Sequence, residues 1–258
     1  MSIPKIIHYC WFGRNPKPRL AEKCILSWKK YCPDYEIREW NEDNYLISQA
    51  PLYVQQAYQM KKWAFVTDYV RLQVVYEHGG IYLDTDVELL KPLDDLLCHS
   101  AYFGFETDRF VATGLGFGAE QGNPAVKEMM DDYEDVPFLL EDGSIDPTPC
   151  PQRNTRILTE RGLRPDGSRQ ELPGDILVLQ KTCLAPIDLA TNRKRVTADT
   201  YSVHWYSGSW YTEEDWKERR KDILHNRLHF ITRIPNKVGT AVFGKERYEK
   251  ISDFLKGK

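Results

Sequence analysis

The sequence predicts an α/β fold, and three observations carry that reading. Apolar runs rich in β-branched and aromatic residues recur between breaks made of Gly, Pro and Asn. Within residues 61–78, Phe65, Tyr69, Leu72 and Tyr76 recur at three- and four-residue spacing, as do Val66, Val70 and Val74, which is the period of a well-buried helix. Strand-like and helical stretches alternate over most of the 258 residues, the pattern of a sheet covered by helices. That length can bury a full core, in one large domain or one domain with a small appendage.

From the N-terminus, residues 3–12 read as a short buried strand ending in the turn-forming run Gly13-Arg14-Asn15-Pro16. Residues 19–30 follow as a helix. Pro33-Asp34 breaks the chain before a second strand at 35–40, and 41–60 is helical with a break at Pro51. Gly79-Gly80 ends the central helix, because glycine accepts the positive φ found there. Residues 81–84 then form a strand, with Ile81 and Leu83 on one face and Tyr82 and Asp84 on the other. Asp86 joins the second face if the chain stays extended. Further strands are expected at 102–105, 115–119 and 175–179. Asn123-Pro124 starts a helix, with Asn as cap and Pro at the first helical position. Residues 142–151 are rich in turn formers and read as a loop, and 201–210 are aromatic and dense in Ser and Gly.

The net charge of -3 argues against nucleic acid as a partner, since phosphate-tracking proteins carry an excess of Lys and Arg. The six cysteines form no Cys-x-x-Cys pair and no Cys/His cluster with zinc spacing, which fits reduced thiols in a cytoplasmic protein. No apolar run is long enough to span a membrane, and the first residues lack the pattern of a signal peptide. From Lys217 onward twelve Lys and Arg face five Asp and Glu. Such a tail is either a solvated surface or a patch that rests on anionic lipid at the inner face of a membrane.

Two carboxylates in Asp84-Thr85-Asp86 stand at the carboxyl end of a strand, where open α/β sheets place ligands. At that spacing they can share a hard divalent cation such as Mn2+ or Mg2+. The pattern also occurs as plain turn chemistry, so its neighbours matter. Asp68 and Arg71 lie three apart on one face of the preceding helix, amid apolar residues. A buried charge needs a partner or a polar ligand. These two either pair with each other or serve a site.

Three stretches carry a resemblance to glycosyltransferase family 32, a family related to the glucosylating clostridial toxins. Ile3-Pro4-Lys5-Ile6-Ile7-His8-Tyr9-Cys10-Trp11-Phe12-Gly13 resembles the family's opening motif. Ala64-Phe65-Val66-Thr67-Asp68-Tyr69-Val70-Arg71 with Gly79-Gly80-Ile81-Tyr82-Leu83-Asp84-Thr85-Asp86 resembles its central sugar-binding motif. His204-Trp205-Tyr206-Ser207-Gly208-Ser209-Trp210 resembles its C-terminal motif. The resemblance implies a GT-A type nucleotide-sugar-binding fold, with a central mixed, mostly parallel sheet and a helical C-terminal extension. It places the catalytic domain at 1–216 and a basic helical extension at 217–258.

By position, the resemblance also implies roles. Trp11 stacks on the donor's base. Asp68 binds donor hydroxyls. Arg71 contacts the transferred sugar or a phosphate, and Tyr82 the diphosphate. Asp84 divides its oxygens between hydroxyls and metal, and Asp86 is the direct metal ligand. His204, Ser209 and Trp210 close over the diphosphate, His204 as a further metal ligand. The implied activity is retaining, metal-dependent transfer of a hexose from a nucleotide sugar, with a UDP-hexose favoured over GDP-mannose. The implied acceptor is a saccharide or lipid-linked saccharide in bacterial surface polysaccharide synthesis. One departure stands out. Where the family carries a Gly-Pro pair near the acceptor, this chain reads Gln152-Arg153-Asn154-Thr155-Arg156.

Two other readings use the same residues. An Asp-x-Asp at a strand end also serves phosphatases of the haloacid dehalogenase type, although Glu88 stands where those carry Thr or Val. A sugar-binding protein without catalysis is the third reading.

Overall fold

The computed structural model describes residues 2–208, 213–228 and 244–255. The chain divides into two compact units, Met1–Pro186 with Val196–Trp210, and Ile187–Arg195 with Tyr211–Lys258. In the first unit the strands are β1 (Ile6–Cys10), β2 (Glu36–Trp40), β3 (Gly80–Tyr82), β4 (Val87–Leu89), β5 (Ala101–Gly104), β6 (Phe117–Ala119), β7 (Gln170–Leu172), β8 (Ile176–Leu179) and β9 (Ser202–His204). The helices are α1 (Arg19–Tyr31), α2 (Leu52–Gln59), α3 (Trp63–His78), α4 (Pro124–Asp131), α5 (Cys150–Glu160) and α6 (Lys181–Leu184).

Seven strands form one sheet in the order β2-β1-β3-β6-β5-β8-β7, and β4 pairs with β9 apart from it. β1 runs parallel to β2 and β3, and β5 to β8. β6 opposes β3 and β5, and β7 opposes β8. The sheet is therefore mixed, with five of seven strands pointing one way. Successive side chains enter opposite cores. Ile7, Tyr9, Ile81 and Leu83 pack with Cys24 and Trp28 of α1. Cys10, Tyr82 and Phe117 pack with Val66, Val70 and Leu72 of α3. The expected split of Ile81 and Leu83 from Tyr82 is thus observed.

Two local features aim the chain at its site. Gly79 and Gly80 sit at φ 64° and 108°, conformations that cost glycine little, so α3 stops and β3 starts within two residues. Beyond Leu83 the chain turns, with Val87 N–H donating to Asp84 O at 2.9 Å. Asp86 therefore does not continue the face of Tyr82 and Asp84, as an extended chain would have placed it. The cause lies in the next three residues, which leave the large sheet. Trp28, fully buried, donates from Nε1 to Val87 O at 2.7 Å, and Leu89 N–H donates to Ser27 Oγ at 2.9 Å. α1 holds one side of β4, and β9 pairs with the other, Val87 opposite His204. Asn123 caps α4 as expected, accepting from Ala125 N and Val126 N. Residues 150 and 151, read from sequence as the end of a loop, instead begin α5.

The second unit holds α7 (Glu213–Leu228) and α8 (Lys245–Leu255). Asn226 Nδ2 donates to Ala190 O at 3.1 Å. Residues 216 and 217 both lie inside α7. That helix carries five basic and five acidic residues, because Glu213, Glu214 and Asp215 precede Lys217.

Candidate functional site

Arg71 lies on the face of α3 turned toward the end of β3 and is only 5% exposed. Its own helix fixes it: Nε donates to Thr67 O at 2.9 Å and Nη2 to Thr67 Oγ1 at 3.1 Å. Nη2 also lies 3.2 Å from Asp68 Oδ1 and 3.3 Å from Asp84 Oδ1. The Asp68–Arg71 pair foreseen as a helix tie is present, but the guanidinium serves Asp84 as well and so joins α3 to the segment after β3. Burial raises the Asp68 carboxyl to about 6, with Arg71 working against that shift. Burial raises Asp84 too, again opposed by Arg71.

Tyr82 is buried beneath this pair. Its ring centroid is 5.1 Å from the Arg71 guanidinium carbon, and its Oη donates to Asp84 Oδ1 at 2.9 Å. In this arrangement the Tyr82 hydroxyl faces Asp84 and orients it.

Asp86 meets a different environment. His204 Nε2 is 3.1 Å from its Oδ1, Ser207 N–H donates to its Oδ2 at 2.7 Å, and Trp205 N–H donates to its backbone O at 3.0 Å. Burial would raise this carboxyl, but the charge and hydrogen bond of His204 and the amide of Ser207 hold it well below the usual carboxylate range. Burial likewise opposes charge on His204, but Asp86 and then Asp84 raise its pKa. The His204 ring packs edge-on against Tyr206, with centroids 4.2 Å apart.

Asp84, Asp86 and His204 each offer a ligand atom, and these atoms lie within 4.8 Å of one another. Two carboxylates and an imidazole form an oxygen and nitrogen donor set that can hold a divalent cation. His204 Nδ1 is buried and meets no hydrogen-bond partner among the described residues, so the ring is not satisfied by the protein alone. Asp68, Asp84 and Asp86 together outweigh Arg71 even with the His204 imidazole counted as charged. Geometry, donor type and charge all fit a divalent cation.

Trp11 lies just beyond β1. The parallel register pairs His8 with Tyr82, so Trp11 and Asp84 leave neighbouring strands at the same edge of the sheet. Its Nε1 donates to Asn15 O at 2.6 Å, and Lys17 Nζ stands 5.8 Å from its ring centroid. Ser209 and Trp210 lie outside the described residues. Sequence reasoning missed the backbone amides of Trp205 and Ser207, since an amide leaves no residue-type signal. It also passed over Thr113, to which Asn154 Nδ2 donates at 3.1 Å. Cys150 Sγ lies 3.4 Å from the same hydroxyl, its thiol pushed up to about 12 by burial and then by the Asp68 charge.

Residues 18–103 match a family model described as "Glycosyltransferase sugar-binding region containing DXD motif". Among curated proteins, inositol phosphoceramide mannosyltransferase 3 of Schizosaccharomyces pombe (strain 972 / ATCC 24843) is 28% identical over 140 residues, covering 50% of this chain and 36% of that protein. Inositol phosphoceramide mannosyltransferase 1 of the same organism is 25% identical over 129 residues, covering 43% and 39%. The chain thus spans less than two fifths of the length of these relatives. Among solved structures, the PaToxG glycosyltransferase aligns with a TM-score of 0.48 at 20% identity, covering 62% of this chain and 69% of that one. A glycosyltransferase involved in glycosylation of the major capsid of PBCV-1 aligns with a TM-score of 0.45 at 14% identity, covering 84% and 100%. Over residues 18–103, the stretch that supplies Asp68, Arg71, Tyr82, Asp84 and Asp86, the chain is similar to a glycosyltransferase sugar-binding region with its DXD motif.

Proposed function

We propose that the protein is a retaining, divalent-metal-dependent glycosyltransferase of GT-A type that moves a hexose from a nucleotide sugar to a saccharide or lipid-linked acceptor. The observation that supports this most is the convergence of Asp84, Asp86 and His204 beside the Asp68–Arg71 pair. Asp84, Asp86 and His204 would hold the cation. A bound Mn2+ or Mg2+ supplies positive charge to the departing nucleoside diphosphate. Arg71, buried and committed through Nε and Nη2 to Thr67, Asp68 and Asp84, would meet a phosphate or sugar oxygen through Nη1. Asp68 would accept hydrogen bonds from donor hydroxyls, and Trp11 would offer its face to the base.

In the transfer, the bond from the anomeric carbon to the phosphate oxygen breaks, and one to the acceptor oxygen forms on the same face. The leaving phosphate oxygen takes the acceptor's proton. This front-face route fits the engaged state of the three carboxylates. Arg71 occupies Asp68 and Asp84, and His204 and Ser207 occupy Asp86. Asp84 Oδ2, which accepts no hydrogen bond among the described residues, would face the cation in this reading and so take no covalent role.

Two donors merit separate arms of the test. A UDP-hexose follows from the likeness to the toxins, and GDP-mannose is favoured by the mannosyltransferase names of the curated relatives. Incubating the protein with a panel of nucleotide sugars and Mn2+ should release nucleoside diphosphate with one donor. Asp86→Asn should lower that release by about 100-fold or more. Near-normal turnover in Asp86→Asn would remove the metal role, and no release with any donor would remove the transferase reading.

A further inference from the structure

Residues Thr113–Leu115 form one tight 3-10 turn between β5 and β6, and all three are buried. Gly114 at its centre lies against the Asp84–Arg71 pair. A Cβ built on Gly114 would stand 2.5 Å from Asp84 Oδ2 and 2.9 Å from Arg71 Nη1, well inside van der Waals contact. The backbone at Gly114 is not left-handed, so the demand for glycine comes from its neighbours and not from its own φ.

The two oxygens of Asp84 are used differently. Tyr82 Oη at 2.9 Å and Arg71 Nη2 at 3.3 Å both reach Oδ1. Among the described residues no hydrogen bond falls on Oδ2, the oxygen beside Gly114. We propose that Gly114 is a positioning residue: its missing side chain keeps Asp84 Oδ2 clear for a divalent cation while Oδ1 stays on Tyr82 and Arg71. This rests on the metal reading of the Asp84, Asp86 and His204 group.

A methyl at 114 has few ways to be absorbed. The turn cannot easily retreat, because Thr113 Oγ1 accepts from Asn154 Nδ2 at 3.1 Å, Gly116 N–H donates to Thr113 O at 3.3 Å, and Leu115 is fully buried. Arg71 is held by Thr67 on its own helix. The group left to move is the short Asp84 side chain, and its movement pulls Oδ2 away from the site.

The test uses the full chain as parent, Gly114→Ala, Asp84→Ser, and the double variant. Mn2+ affinity is read from the electron paramagnetic resonance signal of free Mn2+, and melting is followed with chelator present. Gly114→Ala should weaken Mn2+ binding by about tenfold or more, the size seen when a group orienting a metal ligand is lost. In chelator it should lower the melting temperature, and the same change should cost much less in the Asp84→Ser background, because the two sites couple through contact. Parent-like Mn2+ affinity in Gly114→Ala, or an equal melting loss in both backgrounds, overturns the proposal while leaving the metal reading intact. Absence of Mn2+ binding by the parent overturns the metal reading and this proposal with it. If Gly114→Ala alone does not fold, recovery of folding in the double variant supports the coupling, and failure to recover overturns it.

Discussion

Asp84 and Asp86 stand two residues apart but are held in opposite ways. Burial raises the Asp84 carboxyl, and its protein partners sit on one oxygen only. Asp86 has an imidazole and a backbone amide on its two oxygens and stays far below the usual carboxylate range. Asp86 is therefore a fixed anion, and Asp84 is the member that gains most from an arriving cation. Tyr82 is the lever on that difference. Tyr82→Phe keeps the ring under Arg71 but removes the hydrogen bond to Asp84. We expect Mn2+ affinity to fall by about tenfold and stability by about 1 kcal/mol, measured by metal titration and chemical denaturation. Unchanged affinity would show that the phenol does not orient Asp84.

At the scale of elements, residue types with strong local preferences were readable and geometry set by distant contacts was not. The apolar period of α3 and the Asn123-Pro124 start of α4 follow from local spacing and capping, and both appear where the sequence puts them. β4 has three residues and no Gly or Pro before it, so nothing local announced that Asp86 would turn toward His204. Only Trp28, Ser27 and β9, far away in sequence, explain it. The start of α5 at Cys150-Pro151 was hidden by the turn-rich run before it, although Pro is well suited to a first helical turn. Another element-level feature, His8 on β1, gives a pH prediction. Its ring is fully buried, accepting from Trp40 Nε1 at 3.0 Å and donating to Gly79 O at 2.8 Å. Burial, helped by the nearby charges of His78 and Arg38, lowers its pKa from 6.5 to about 4, against the Gly79 carbonyl and Glu36. The unfolded chain then binds the extra proton first, so stability is full above about pH 6.5 and is lost as pH falls toward 4, by about 3 kcal/mol in all. Denaturation series across that window should show a shallower slope in His8→Gln. An equal slope would mean that another group carries the acid sensitivity.

On the scale of the whole molecule, the α/β class and the mixed sheet were legible, while strand order was not. β6 enters antiparallel between β3 and β5, and only that placement brings Gly114 to Arg71 and Asp84. The basic character expected of the C-terminal region also depends on where it is taken to begin, since α7 as a whole is balanced in charge. The pairing of Asp86 with the segment after β9 has a further consequence. Ser207 and Asp86 are 121 positions apart, so a cation held by Asp84, Asp86 and His204 would act as a reversible crosslink closing a very long loop. Binding that favours the closed chain must, by thermodynamic linkage, stabilise it, by about 2.7 kcal/mol when the cation is at 100 times its dissociation constant. Hydrogen exchange with and without Mn2+ should slow at the amides of Trp205 and Ser207 and at those of β4. No change there would mean that the loop is already closed without the ion, and that the two ends of the site owe their meeting to packing alone.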